Sequence, residues 1–432
     1  MIGWFGPMFG RFGYAEHNRE MCRALIRRGV KVMIAPSMFP EPPLSPAEEE
    51  LLPYVAGYGH VPDDIIMVHC IPANPLPRRG GYTIALTTVE SIAAHPNVVA
   101  RLRLYDEVWV PSGYCRKSLV RGGLTSKEIE VVPEGVDGGE WFVSRRSPAV
   151  REGECLELMY HGDWSTRKGV HELVFACAAV AERVGGIRLT LWVNVGRDRG
   201  DEARAIVWKE VEDMKRAAGG GRGLDVVVDL AEKTVAEVRG RYHGSHYFVH
   251  LGRGEGWNLT VSQAAACGCP LIALAACGEK EFLPKGLFTK VRTRGRMQLE
   301  EMGDVRVGHH QGMEFWRVDM ASVERVLLGA RREHPRARER ARRLAAYMRD
   351  RVTWDVAAAI AERRLDWLCR KLGLPLPREG NWPERERRRT SGRESVGGAR
   401  RGAAAARDRS GGNGQGVSAL PGVGGCPRVT GV

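Results

Sequence analysis

A chain of 432 residues with 43% hydrophobic content can build two ordinary domains, and no run of eighteen apolar residues occurs that could span a membrane. The formal net charge of +13 is concentrated in two places: nine Arg face three acidic residues between Arg331 and Arg351, and eleven face five from Arg378 to Val432. The rest is close to neutral, and the basic tail lacks interleaved aromatics, so composition argues against specific nucleic-acid binding.

In chain order, Gly10-Arg-Phe-Gly13-Tyr-Ala opens an amphipathic pattern, Met21, Cys22, Leu25, Ile26, that ends at Gly29. This predicts a glycine-bearing loop at a helix start, which serves as a turn or as a phosphate contact through Gly13. Short β-branched runs then alternate with helical patterns, the mark of an α/β fold with parallel sheets. Val30–Ala35, Ile65–Cys70, Tyr82–Thr87, Glu107–Val110 and Glu130–Val132 are the predicted strands of a first domain. His69 and Glu90 fall at carboxyl ends of strands, where open α/β sheets bind ligands. Glu90 is a candidate ligand contact; His69 is either a second contact or a packed histidine.

A break near 138–153 separates these from a second series: Leu156–Tyr160, Leu189–Val193, Asp225–Val228, Tyr247–His250 and Leu271–Ala273. Long helices are expected from Arg336 to Leu372. The Gly-, Ala-, Arg- and Ser-rich tail buries too little apolar surface to offset its ordering entropy and is expected to be disordered. The expected organisation is therefore 1–145, 154–335, 336–374 for the helices, and 375–432 for the tail.

Ten cysteines occur without a C-x-x-C pair. They read as reduced, buried thiols rather than metal ligands or disulfides, which points to the cytoplasm. The opening M-I-G-W-F-G has no basic n-region followed by a long apolar core, so no secretory signal is expected.

The most informative stretch is G-E-G-W-N-L-T-V-S-Q-A-A-A-C-G-C-P, Gly254 to Pro270. The apolar Tyr247–Leu251 run leads into a loop whose glycines admit a ligand to the backbone. The following Leu259–Cys267 segment forms a helix whose free N–H groups and positive dipole end suit a diphosphate. Glu255 stands at the helix mouth, and Gln263 lies about two turns inside. Upstream, a strand through Leu158-Met-Tyr-His-Gly-Asp163 leads to Thr166-Arg167-Lys168-Gly169, a loop with adjacent cations.

These segments resemble family 4 retaining glycosyltransferases, whose pattern is G-E-G-[FW]-G-L-x-x-x-E-A-x-A-x-G-x-P with a preceding K-G. Asp106-Glu-Val-Trp-Val-Pro-Ser112 and Ile129-Glu-Val-Val-Pro-Glu-Gly-Val-Asp137 resemble two further blocks of that family, and Thr87-Thr-Val-Glu90-Ser resembles a T-x-x-E-T block. The resemblance covers about residues 10 to 370. It implies a GT-B fold, two Rossmann-like domains facing a cleft, with retaining sugar transfer from a nucleotide sugar and no essential metal or cofactor. The acceptor would be a glycan, a lipid-linked molecule or a small molecule. Contact with an anionic membrane face is expected where the acceptor is membrane-bound.

By the same resemblance, Lys168 and Arg167 would neutralise the leaving diphosphate, Glu255 would hold the transferred sugar, and Glu90 would contact the sugar or the acceptor. Gly254, Gly256, Asn258, Leu259, Gly13 and Gln263 would line the donor. Three positions depart from the pattern. Asp163 stands where an Arg is common, Asn258 replaces a Gly, and Gln263 replaces the glutamate that accepts both ribose hydroxyls. Losing that charge-assisted bond costs on the order of 1–2 kcal/mol. The departures keep open a non-catalytic descendant that binds nucleotide or glycan; a basic nucleic-acid-binding protein is the remaining alternative.

Overall fold

The computed structural model describes residues 2–38, 43–56, 66–70, 81–125, 129–144, 148–195, 200–302 and 310–378. Of the tail expected to be disordered, 375–378 are described and pack against the first domain, while 379–432 lie outside the described residues. The chain folds as two parallel sheets, each flanked by helices.

The first sheet contains β1 (Ile2–Gly6), β2 (Val32–Pro36), β3 (Ile66–Cys70), β4 (Tyr82–Leu86), β5 (Glu107–Val110) and β6 (Ile129–Val131), in the order β2-β1-β3-β4-β5-β6. Its helices are α1 (Gly13–Arg27), the short α2 (Pro46–Glu49), α3 (Pro96–Leu102) and α4 (Gly113–Arg121). Ser112 caps α4 by accepting a hydrogen bond from the Cys115 amide at 3.2 Å, as the strand-Pro-Ser pattern predicts. β1 was not among the expected strands. Its Ile2 and Trp4 are fully buried beside Ile34, Val68, Ile84 and Trp109, and each such apolar side chain contributes about 2–3 kcal/mol.

The second sheet contains β7 (Leu156–Asp163), β8 (Ile187–Asn194), β9 (Leu224–Asp229), β10 (Tyr247–His250), β11 (Leu271–Ala273) and β12 (Thr289–Lys290), ordered β12-β11-β10-β7-β8-β9. Helices α5 (Val170–Val180), α6 (Gly200–Ala217), α7 (Val235–Gly244) and α8 (Leu259–Ala266) accompany it. β13 (Thr293–Gln298) and β14 (Glu314–Val318) form a separate antiparallel pair.

Two long helices follow. The first, α9 (Met320–Arg351), begins sixteen residues before the expected Arg336 and carries Pro335 inside it. Pro335 stands one residue before the expected start. Apolar burial on both sides of it, through Leu327 and Ala330 and then Ala341 and Leu344, keeps the helix continuous. The second, α10 (Trp354–Lys371), returns to the first domain. Its stripe of Trp354, Ala357, Ala358, Ala361, Leu365 and Leu368 packs into the core under β1 and α1, and small alanines let the helices approach closely.

The chain thus passes between the two sheets twice, once after β6 and once between α9 and α10. The passages touch: the Val136 amide donates to the Val352 carbonyl at 3.0 Å, and Val136 pairs with Thr353 in a parallel bridge. Among the described residues no helix is long and apolar enough to cross a membrane. The eight cysteines whose side chains are described are free thiols, seven of them buried.

Candidate active site

Two loops at the carboxyl edge of the second sheet meet loops of the first. After β7 the chain makes a tight turn over Thr166–Lys168 and leaves through Gly169 at φ +68°. A Cβ at Gly169 would lie 2.3 Å from the Leu251 carbonyl oxygen, so only glycine lets the cation loop lie against the end of β10. Arg253 fastens the two loops. Its amide donates to the Arg167 carbonyl at 2.9 Å, its Nε donates to the Thr166 carbonyl at 3.0 Å, and its guanidinium pairs with Glu172. The residue is 1% exposed, and burial holds its pKa down at about 10.

This joint brings Glu255 to the cations. Lys168 Nζ lies 2.9 Å from Glu255 Oε1 and 3.0 Å from Oε2, and Arg167 Nη1 lies 3.5 Å from Oε2. Arg167 also donates to the Gly254 carbonyl at 2.7 Å and reaches Glu90 of the first domain at 3.8 Å. Glu90 in turn lies 3.4 Å from His310 Nε2. Burial alone would raise both carboxyl pKa values, but the cations outweigh it: Glu255 is lowered by Lys168 and Arg167, and Glu90 falls to about 2 through Arg167 and His310. Arg167 is buried too, yet Glu90 and Glu255 push its pKa up. Both carboxylates and the guanidinium are therefore charged at neutral pH.

Across the interface the backbones nearly touch. A Cβ at Gly254 would lie 2.1 Å from the Glu90 carbonyl oxygen, and Ser112 Oγ donates to the Gly256 carbonyl at 2.6 Å. Leu259, at the start of α8, packs against the cores of both domains and is 3.9 Å from a Cβ built on Gly13.

Asn258 adopts φ +89° and ψ +77° at the N-cap of α8. A left-handed position explains why a glycine suits it, and Asn is among the few other residues that tolerate it. Its side chain accepts from the Val261 amide at 3.3 Å and donates to Glu279 at 3.1 Å. Gln263 does not join Glu255. It sits further along α8 and donates to Glu16 of α1 at 2.7 Å, so an amide and a carboxylate from opposite domains meet there. His69 lies on β3 in register with Phe5 and Ala85; its side chain is outside the described residues.

Sequence reasoning missed Glu16, His250, Arg253 and Glu279. His250 had one signal, its place at the carboxyl end of a strand entering the glycine loop. The other three carry no motif and are found only through their spatial partners.

Two facing parallel-sheet domains, with cations and a glycine loop at the carboxyl strand ends, define the GT-B class. Residues 117–360 match the family described as Family 4 Glycosyltransferase in conflict systems, and the chain belongs to that family. No curated protein matches its sequence significantly. Among solved structures it is similar to Anabaena Alr3699/HepE in complex with UDP and glucose, at 11% identity and TM-score 0.58, covering 85% of this chain and 100% of that one. It is also similar to sucrose-phosphate synthase from Thermosynechococcus elongatus, at 15% identity and TM-score 0.54 over 86% and 98% of the two chains. WaaG, a glycosyltransferase involved in lipopolysaccharide biosynthesis, gives 13% identity and TM-score 0.53 over 84% and 99%. At these identities the likeness shows the fold.

Proposed function

We propose that this protein transfers a sugar from a uridine diphosphate sugar to a glycan, lipid-linked or small-molecule acceptor, with retention at the anomeric carbon. The observation that carries the reading is the contact of Lys168 with Glu255 at 2.9 Å on a loop that runs into the N-terminus of α8. Cleaving the anomeric bond loads negative charge onto the leaving diphosphate. Lys168, Arg167 and the α8 terminus stabilise that charge, with no metal called upon. Glu255 receives the transferred sugar through its hydroxyls, and Glu90 faces the acceptor side from the first domain. The choice of uridine draws on HepE, crystallised with UDP.

The exposed arginines of α9, Arg332, Arg336, Arg342 and Arg349 among them, suit contact with an anionic membrane surface near a lipid-linked acceptor. A second reading, a non-catalytic nucleotide or glycan binder, draws on Gln263, whose amide nitrogen is already committed to Glu16.

The test is a thermal-shift screen of UDP and UDP-sugars on the full chain, followed by an assay of UDP release. A donor that binds the folded state raises the melting temperature. UDP release that disappears in Glu255→Gln supports transfer. Stabilisation by UDP without release from any UDP-sugar supports the binder.

A further inference from the structure

We propose that Glu279 is a positioning residue for Glu255: its carboxyl holds the Asn258 amide, which fixes His250 against Glu255. Glu279 lies in the short turn after β11 and is 2% exposed. Its Oε1 accepts from Asn258 Nδ2 at 3.1 Å, while Oε2 is buried without a side-chain partner. The same Asn258 nitrogen lies against the His250 ring, 3.0 Å from Nδ1 and 3.3 Å from Nε2, while the Gly252 amide donates to Nδ1 at 3.2 Å. One amide hydrogen serves Glu279 and the other serves His250. With Nδ1 accepting, the imidazole proton sits on Nε2, 3.6 Å from Glu255 Oε1. His250 is neutral, because burial lowers its pKa to about 4.

The partners are matched. A glycine at 258 has no amide to offer, and a carboxyl at 279 would then keep only the backbone amides of Cys277 and Glu279 as donors. The groups facing Glu279 are Glu255 from the loop after β10, His250 at the end of β10, the Cys277 thiol and the Tyr114 hydroxyl of α4. Lys168 and Arg167 lie beyond Glu255. Burial first, and the Glu255 charge second, raise Glu279 to about 8, against a smaller pull from Asn258. At neutral pH it keeps its proton. Above that range a second buried charge forms beside Glu255, competes for Lys168 and repels an anionic diphosphate.

The consequence for donor binding rests on the transferase reading; the hydrogen-bonded arrangement does not. The experiment measures UDP affinity of the full chain by calorimetry from pH 6.5 to 9.5, and the imidazole nitrogen spectra of histidine-labelled protein over the same range. For the wild type, the UDP Kd is expected to rise about five- to tenfold towards pH 9.5, as for a unit charge added beside a buried anion site. Glu279→Gln keeps an acceptor oxygen for Asn258 without a titratable proton, and is expected to remove that rise. Glu279→Leu breaks the arrangement, and is expected to weaken UDP binding at pH 7 and move the His250 signals. An alkaline rise with an unchanged midpoint in Glu279→Gln overturns the proposal. So do His250 signals and UDP affinity in Glu279→Leu that match the wild type. If no form binds UDP while a His250 shift near pH 8 vanishes in Glu279→Gln, the transferase reading fails and the positioning role stands.

Discussion

Gln263 of α8 and Glu16 of α1 meet across the cleft, the amide donating to the carboxylate at 2.7 Å. Burial raises Glu16 to about 7, against a pull downward from Arg19. A folded-state value above the unfolded one means the folded state gains stability when Glu16 is protonated. That gain is complete below the ordinary carboxyl value of about 4.5 and is lost as pH rises through 7. Glu16→Gln is therefore expected to raise the melting temperature at pH 8 by about 2–4 °C, with a smaller gain at pH 5. Sequence alone predicts that the nearly isosteric Gln263→Glu strengthens donor binding. With Glu16 opposite, two carboxylates must share one proton, so this variant is expected to melt several degrees below wild type at pH 8 and to recover towards it at pH 5.5. Equal melting at pH 8 would show that the two side chains are apart in solution.

Lys168 is 15% exposed and its partner Glu255 6%, so Lys168→Met removes a cation from a dry site while Arg167 still faces Glu255. The expected result is a loss of UDP release of about 10²–10³-fold, the size seen when one charge-stabilising group is removed. The stability loss should stay near 1–2 kcal/mol, because Arg167 continues to compensate the carboxylate. Turnover at the wild-type rate, measured at saturating donor, would remove Lys168 from the reaction.

Arg253 and Glu172 are a buried pair. Arg253→Met leaves Glu172 without its cation and frees both loops, so a loss of about 3–5 kcal/mol in urea unfolding is expected. Adding Glu172→Gln to that variant removes the stranded charge and should recover at least half of the loss. If the double variant is no more stable than the single, the cost lies in the loop hydrogen bonds instead.

The C-terminal end of the described chain is tied down. Lys31 donates to the Pro377 carbonyl at 3.0 Å, Arg378 donates to the Arg28 carbonyl at 2.9 Å, and Leu376 packs against the first core. A chain ending at Arg378 is expected to melt within about 2 °C of the full protein. One ending at Gly373 should melt measurably lower, because it loses those contacts. A large drop on removing only 379–432 would show that the tail contributes packed structure.

Much of this architecture can be read from local pattern. Runs such as Glu107–Val110 and Tyr247–His250 announce strands because β-branched and aromatic residues cluster between turn signals, and both end where expected. β1 escaped because its glycines and Trp mask the period, and β13 because Thr-Arg-Gly-Arg shows no apolar face at all. The expected helices began at Arg336, whereas α9 begins at Met320, where buried Val323, Leu327 and Ala330 hold its first turns. At the site, Glu255, Arg167 and Lys168 were singled out through the resemblance of their loops to the family pattern, and they lie side by side. Glu16 and Glu279 were not, since each works through a residue far from it in sequence, and the return of α10 to the first core leaves no local trace.

The two adjoining passages of the chain, held by the Val136–Val352 hydrogen bond and the Val136–Thr353 bridge, act like a door hung on pins set side by side. Twisting the halves across that line would tear the bond and draw Trp354 from its core, while swinging about it would keep the bond and part Ser112 from Gly256 and Gln263 from Glu16. A swing of that kind would change the gap between Glu90 and Arg167 and the gap between Glu16 and Gln263 together. Its pivot would be Val136 and Thr353, residues outside the cation and glycine loops.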